Sequence, residues 1–232
     1  MISSSQLNNN LCFIKSNIQN AAQQSGRKAD KITLVAVTKA FSSEAWNKAL
    51  ELKLTTFGES KIQEAEKKTK EFNSIRKIKL HLIGHLQSNK VRKAIKYFDV
   101  IQTVDTIKLL ERINQMSKEE NKCQRIFLQV NTGQDINKHG FTEKDVYTAA
   151  ERTKNLPHTS LEGIMTIPPQ NLQEKKLCKI YEKTRKIRDD IQQTIESECK
   201  YLSMGMSNDY EIAIVEGATH IRLGTALFGE RL

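Results

Sequence analysis

The chain has 232 residues, 38% hydrophobic and 28% charged, with a formal net charge of +10. That balance supports a buried core under a wetted surface, and only 10 glycines and 3 prolines exclude a low-complexity or disordered polymer. The pI near 9.4 admits an anionic ligand, a nucleic acid or an acidic membrane, but most Lys and Arg lie in mixed-sign stretches such as 64–71 and 174–179, the pattern of solvated helix faces.

Cys12, Cys123, Cys178 and Cys199 form no CxxC, and the five histidines form no HExxH, so neither a zinc motif nor a disulfide framework is expected. Free thiols suit a reducing compartment. The N-terminus lacks the basic and apolar regions of a signal peptide, and no apolar run is long enough for a bilayer. The expected location is cytoplasmic, with no membrane partner.

In chain order, a leading helix over 6–24 ends at Gly26, a left-handed cap position. A β-branched run, 32–37, precedes a helix over 42–50, with Ser42 as N-cap and Ala45, Trp46 and Ala49 as its apolar stripe. Further short apolar runs follow at 54–57, 80–83, 100–104, 126–131, 161–167, 201–204 and 220–223. Helical patterns fall between them at 106–118, 142–154, 172–197 and 209–216, and a terminal helix follows the last run. Apolar runs at consecutive positions suit parallel strands covered on both faces. Strict βα alternation fits an open doubly wound sheet or a closed barrel, and the count of eight favours a (β/α)8 TIM barrel with an N-terminal helix. One domain is expected over 1–232, because little chain follows Leu223.

In such a barrel, active groups gather where strands end. Lys39 directly follows the first strand, where lost hydration favours a neutral amine able to form a Schiff base, although a strand-end lysine equally fits a snorkelling surface residue. Phosphate sites in these barrels use the loops after strands seven and eight. There the sequence offers Gly205 and Ser207, with Ser207 or Asn208 as helix caps, and then Gly224 and Thr225. Arg222 shares the inward parity of Gly224. Inside a barrel it needs an acceptor, either a pyridine nitrogen or a carboxylate on a neighbouring strand.

These residues lie in a longer pattern. Leu34-Val-Ala-Val-Thr-Lys39, Phe57-Gly-Glu59, His81-Leu-Ile-Gly-His-Leu-Gln-Ser-Asn-Lys90, Val130-Asn-Thr-Gly133 and Lys138-His-Gly140 run in order along the chain. Gly163-Ile-Met-Thr-Ile-Pro168, Leu202-Ser-Met-Gly-Met-Ser-Asn-Asp209 and Arg222-Leu-Gly-Thr-Ala-Leu-Phe-Gly229 complete it. The whole resembles the pyridoxal phosphate homeostasis proteins. The resemblance implies a barrel like the N-terminal domain of alanine racemase and pyridoxal 5′-phosphate (PLP) held as an internal aldimine on Lys39. It also implies that Ser207, Gly224 and Thr225 hold the phosphate, and that Arg222 faces the pyridine nitrogen. One position departs: Ser60 stands where the family usually has Asn, so it is given no binding role.

An arginine at the pyridine nitrogen cannot pass it a full proton, which weakens the ring as an electron sink. The further β domain that carries alanine racemase's second catalytic base is not expected here. No nearby motif supplies an acid–base pair. Tyr201 and Tyr210, the tyrosines expected nearest the site, are read as packing residues. The expectation is therefore a monomeric, non-catalytic carrier that buffers PLP and delivers it to PLP-requiring apo-enzymes. The alternatives are a small racemase- or transaminase-like PLP enzyme and a nucleic-acid-binding barrel using Lys90, Arg92, Lys93 and Lys96. Aromatic content of 6% leaves that last reading few stacking platforms, and no nucleic-acid partner is expected.

Overall fold

A computed structural model describes residues 2–72 and 77–230. Helix α1 (Ser4–Gln24) opens the fold, and its N-cap Ser3 accepts a hydrogen bond from the Gln6 amide. Leu7, Leu11, Ile14, Ile18, Ala21 and Ala22 form its buried stripe, at the spacing that puts one face of a helix against a core. Gly26, at φ +66°, ends it as the sequence predicts.

Eight strand–helix units follow. They are β1 (Thr33–Val37) with α2 (Glu44–Glu51), β2 (Thr56–Glu59) with α3 (Ile62–Glu71), β3 (Lys79–Leu82) with α4 (Val91–Tyr97), and β4 (Val100–Val104) with α5 (Ile107–Glu119). The second half has β5 (Gln124–Gln129) with α6 (Glu143–Thr153), β6 (Thr159–Met165) with α7 (Glu174–Thr194), β7 (Tyr201–Ser203) with α8 (Tyr210–Val215), and β8 (His220–Leu223) with α9 (Thr225–Phe228). The strands close in sequence order into one parallel barrel, β8 pairing with β1. The expected (β/α)8 architecture is the observed one.

Most of the apolar core lies between strands and helices, with Trp46, Phe57, Phe98, Ile101, Leu128 and Tyr181 all essentially inaccessible. Inside the barrel, Val100, Phe127 and Met165 make a second, small apolar cluster. Strand parity sorts the residues between these two regions.

Several boundaries differ from the sequence reading; the runs expected at 126–131 and 161–167 are strands over Gln124–Gln129 and Thr159–Met165, and the helix expected over 172–197 spans Glu174–Thr194. The run placed at 54–57 is paired over Thr56–Glu59, because Gly58 and Glu59 sit opposite His81 and Leu82 of β3. Ser42 does not cap α2. The helix starts after Ser43, whose side chain makes no cap bond and donates to Glu71 Oε2 instead. Among the described residues, no helix is long and apolar enough to cross a membrane.

Candidate functional site

The register of β1 on β8 pairs Val35 with Arg222 and Ala36 with Leu223. Lys39 and the Gly224–Thr225 turn therefore leave neighbouring strands at the same end of the barrel. Ala36 packs in the outer layer, while Val35 and Val37 approach Gly58 on the inner side, so Lys39 continues the inward parity. Its side chain is exposed. The expectation of a lysine dehydrated by the barrel core is not met: the chain ends its strand there and turns outward through Ala40, at φ +65°.

The backbone on either side of Lys39 is held from behind. Thr38 Oγ1 donates to Glu59 Oε1 at 2.6 Å and accepts from Trp46 Nε1 at 2.8 Å. Lys68 Nζ, from α3, donates to the Thr38 carbonyl at 2.6 Å and to Glu59 Oε1 at 2.5 Å. Glu64 Oε2 accepts the Ala40 amide at 3.0 Å. Glu59 is wholly inaccessible and its Oε2 has no hydrogen-bond partner among the described residues. Burial pushes the Glu59 carboxyl above its ordinary range, against the opposing pull of Lys68 and Thr38.

Arg222 lies inside the barrel, 5% exposed. It donates to Ser203 Oγ at 2.7 Å and to the Thr166 carbonyl at 2.9 Å. Ser203 donates to Gln102 Oε1 at 2.7 Å, and the Gln102 amide meets His81 Nδ1 at 2.7 Å. No ion pair engages Arg222 among the described residues, so the alternative of a strand carboxylate is not what the fold supplies. Burial lowers the Arg222 pKa, with Tyr181 and Asp209 opposing. His81 and His220 stack at 5.9 Å below it. Burial holds both neutral: it takes His81 well below the ordinary range and, with Arg125 and Arg222, takes His220 to about 4.

The loops after β7 and β8 meet. The Ala226 amide donates to Ser207 Oγ at 3.1 Å, and the Arg222 amide donates to the Gly205 carbonyl at 2.9 Å. Gly205 sits at φ +91°, and a Cβ there would lie 2.6 Å from Ala213 Cβ, so the tight turn demands glycine. Among the described residues, no acceptor in the chain takes the amide hydrogens of Ser207, Gly224 or Thr225. Neither Ser207 nor Asn208 caps α8. Asp209 occupies that position and accepts the Met206 amide through Oδ1 at 2.5 Å. This frees the Ser207 hydroxyl for the β8 loop.

The structure thus brings Lys39, Arg222, Ser207, Gly224 and Thr225 to one sector of the barrel. Ser60 follows β2, which pairs with β1 at Val37 and Gly58, and its backbone carbonyl oxygen lies 2.2 Å from where a Gly84 Cβ would be. The tyrosine nearest the constellation is neither Tyr201 nor Tyr210. Tyr201 opens β7 at the far end, and the Tyr210 hydroxyl accepts from Asn17 of α1. Tyr181 is the one whose buried hydroxyl senses Asp209 and Arg222. Burial first, then Asp209, pushes its pKa up, and the hydroxyl has no partner among the described residues. The sequence carried a signal for Gln102 and Ser203, polar residues at inward positions of apolar strands, which were not singled out. Tyr181 gave none, because it reads as one more apolar-face residue of a helix.

A further expectation meets the structure here. The basic cluster is largely paired: Arg92 with Glu119 and Glu120, and Lys93 with Glu66. On the opposite side of the barrel mouth, His85, Asp105 and His139 converge in the loops after β3, β4 and β5.

Comparison with known proteins follows the same lines. The family model for the N-terminal domain of alanine racemase matches residues 10–232. A pyridoxal phosphate homeostasis protein of Vibrio alginolyticus is 35% identical over 98% of each chain. PipY of Synechococcus elongatus PCC7942, in a structure with PLP bound, superposes with a TM-score of 0.81 at 32% identity, covering 92% of this chain and all of that one. Alanine racemase of Clostridium difficile 630 shares the fold at a TM-score of 0.75 and 16% identity, over 96% of this chain and 57% of that one.

Proposed function

The chain belongs to the pyridoxal phosphate homeostasis proteins, within the alanine racemase N-terminal-domain family, and on that premise we propose that it binds PLP at the Lys39–Arg222 sector and serves PLP homeostasis. The observation that carries this reading is the pairing of β1 with β8, Val35 opposite Arg222. It sets a lysine, a buried arginine without a carboxylate and a group of free amides side by side. PLP supplies an aldehyde that condenses with amines and, in enzymes, an electron sink.

In this proposal Lys39 is the amine that attaches the aldehyde. Its exposure leaves it reachable, and the Thr38 and Ala40 bonds keep its backbone in place. Ser207, Gly224 and Thr225 offer two hydroxyls and three amide hydrogens to the phosphate. Arg222 offers hydrogen bonds to the pyridine nitrogen while keeping its own proton, since a guanidinium is not deprotonated in proteins. In the carrier reading the protein holds the cofactor, buffers it and hands it to PLP-requiring apo-enzymes; an arginine at the nitrogen weakens the electron sink but does not by itself exclude catalysis on amino acids, since alanine racemases also place an arginine there.

The test is a visible spectrum of the protein with PLP, followed by borohydride reduction and mass mapping. The expected result is pyridoxyl mass on Lys39 and its loss in Lys39→Ala. Label scattered over surface lysines refutes the site. The carrier reading is tested separately: Lys39-dependent turnover of amino acids would refute it, and transfer of PLP to an apo-enzyme would support it.

A further inference from the structure

Outside the proposed PLP sector, one cluster joins chemistry-bearing side chains from three successive strand ends. We propose that His85, Asp105 and His139 form a binding site for a divalent transition ion of the zinc, cobalt and nickel class. The site lies across the barrel mouth from Ser207 and Thr225, because β3–β5 stand opposite β7–β1 in a ring of eight.

The geometry is convergent. Asp105 Oδ2 lies 3.1 Å from His85 Nδ1 and 3.5 Å from His139 Nδ1. The two imidazoles stack at 3.9 Å between centroids and 14° between planes. All the candidate ligand atoms fall within 4.8 Å of one another. Metal–ligand bonds of about 2.0–2.2 Å in tetrahedral array put ligand atoms roughly 3.4 Å apart, close to the two separations observed. Two imidazole nitrogens and a carboxylate oxygen reach one point from three separate loops, and a shared ion would turn the two rings out of their stack so that both in-plane lone pairs face it.

The scaffold fixes these positions. Each histidine adjoins a glycine with no room for a side chain. A Cβ at Gly84 would lie 2.2 Å from the Ser60 carbonyl oxygen, and one at Gly140 would lie 2.7 Å from the Asn131 nitrogen. Thr103 Oγ1 donates to the Gly84 carbonyl at 2.8 Å, and Gln129 Nε2 donates to the His139 carbonyl at 2.8 Å. Both bonds tie the loops to the barrel, as a preorganised site requires. The Asp105 side chain is 5% exposed, while the two histidines are 44% and 61% exposed, so the anchor is buried and the entry is open. Two nitrogens and one carboxylate oxygen favour borderline ions over calcium or magnesium, and three protein ligands leave positions for water or a ligand.

This proposal does not depend on the PLP reading and is tested on the full chain without PLP. The protein, stripped with chelator and with its thiols alkylated, is titrated with Co2+, read by its visible absorption, and with Zn2+ in competition with a chromophoric chelator. The expected result is one equivalent bound. Affinity should fall in His85→Ala, His139→Ala and Asp105→Asn by at least the ~10–100-fold that losing even a second-shell partner costs. Circular dichroism of each variant establishes that it folds. Binding unchanged in the His85→Ala/His139→Ala double variant overturns the site, as does the absence of a one-equivalent phase in the folded wild type.

Discussion

Replacing Lys68 by Met tests the buried anchor behind Lys39. Lys68 and Glu59 side chains are 5% and 0% exposed and meet at 2.5 Å. Methionine keeps most of the apolar stem but removes the charge and the bond to the Thr38 carbonyl. Glu59 would be left with the Thr38 hydroxyl alone, since its other oxygen already lacks a partner among the described residues. Breaking a buried pair by removing one member costs about 3–5 kcal/mol. The cost depends on pH in a definite direction. Burial already raises the Glu59 pKa above 4.5, and Lys68 is the leading influence holding it down, so the variant raises it further. A carboxyl with a raised folded-state pKa contributes stability that is present below its unfolded value and lost as pH rises through the folded value. Over that window the loss runs at ~1.4 kcal/mol per pH unit. The assay is urea unfolding at pH 5 and pH 8, read by the fluorescence of Trp46. It is the chain's single tryptophan, and its Nε1 donates to Thr38 at 2.8 Å. Lys68→Met should unfold at lower urea than wild type, with the larger deficit at pH 8, and adding Glu59→Gln should remove the extra pH dependence. A variant with the wild-type midpoint at both pH values, or an equal deficit at both, would refute the reasoning.

Other outcomes follow from the same geometry. Arg222→Met removes the hydrogen bonds to Ser203 and Thr166 and, under the proposed function, one charged contact to PLP. Such a contact is worth about 1.5–3 kcal/mol, so PLP affinity, measured by quenching of Trp46 fluorescence, should fall roughly 10–100-fold. Gly205→Ala forces a side chain into a φ of +91° and against Ala213 at 2.6 Å. It should lower stability by about 1–3 kcal/mol in thermal or urea unfolding. His220, held down to about 4 by burial and by Arg125 and Arg222, should show no ring titration by NMR between pH 5.5 and 8. Its depressed pKa contributes stability present above about 6.5 and lost as pH falls toward 4. A ring that titrates near 6.5 would show that the barrel interior is wetter than described.

The barrel was legible because eight apolar runs alternate with helical patterns, and β4 and β8 occupy the predicted ranges residue for residue. Parity along β8 also placed Arg222 inside, and the positions after β7 and β8 marked the loops that meet at Ser207. What stayed hidden depends on distances across the ring. A charge at a strand end, such as Glu59, reads as solvent-facing, yet Lys68, from a helix that otherwise reads as a charged surface, pairs with it in the core. Ser207, a cap candidate in the sequence, is an inter-loop acceptor because α8 starts after Asp209 and the Ala226 amide reaches the Ser207 hydroxyl. His85 and His139 lie in separate loops, and only ring closure makes them neighbours.

The pairing of the first strand with the last also governs when this protein becomes competent. Lys39 follows the first strand of the barrel, whereas Arg222, Gly224 and Thr225 belong to the last, and their meeting rests on the β1–β8 ladder. Helix α1 reinforces the same seam: Asn10 donates to the Leu227 carbonyl and Asn17 to Tyr210. A nascent chain halted before β8 would display the lysine with no cradle beside it. Under the proposed function, no complete site can assemble until β8 has been made and paired with β1. A ligand bridging both strands would then act as a clasp on the barrel, slowing its opening at the seam between its first and last strands.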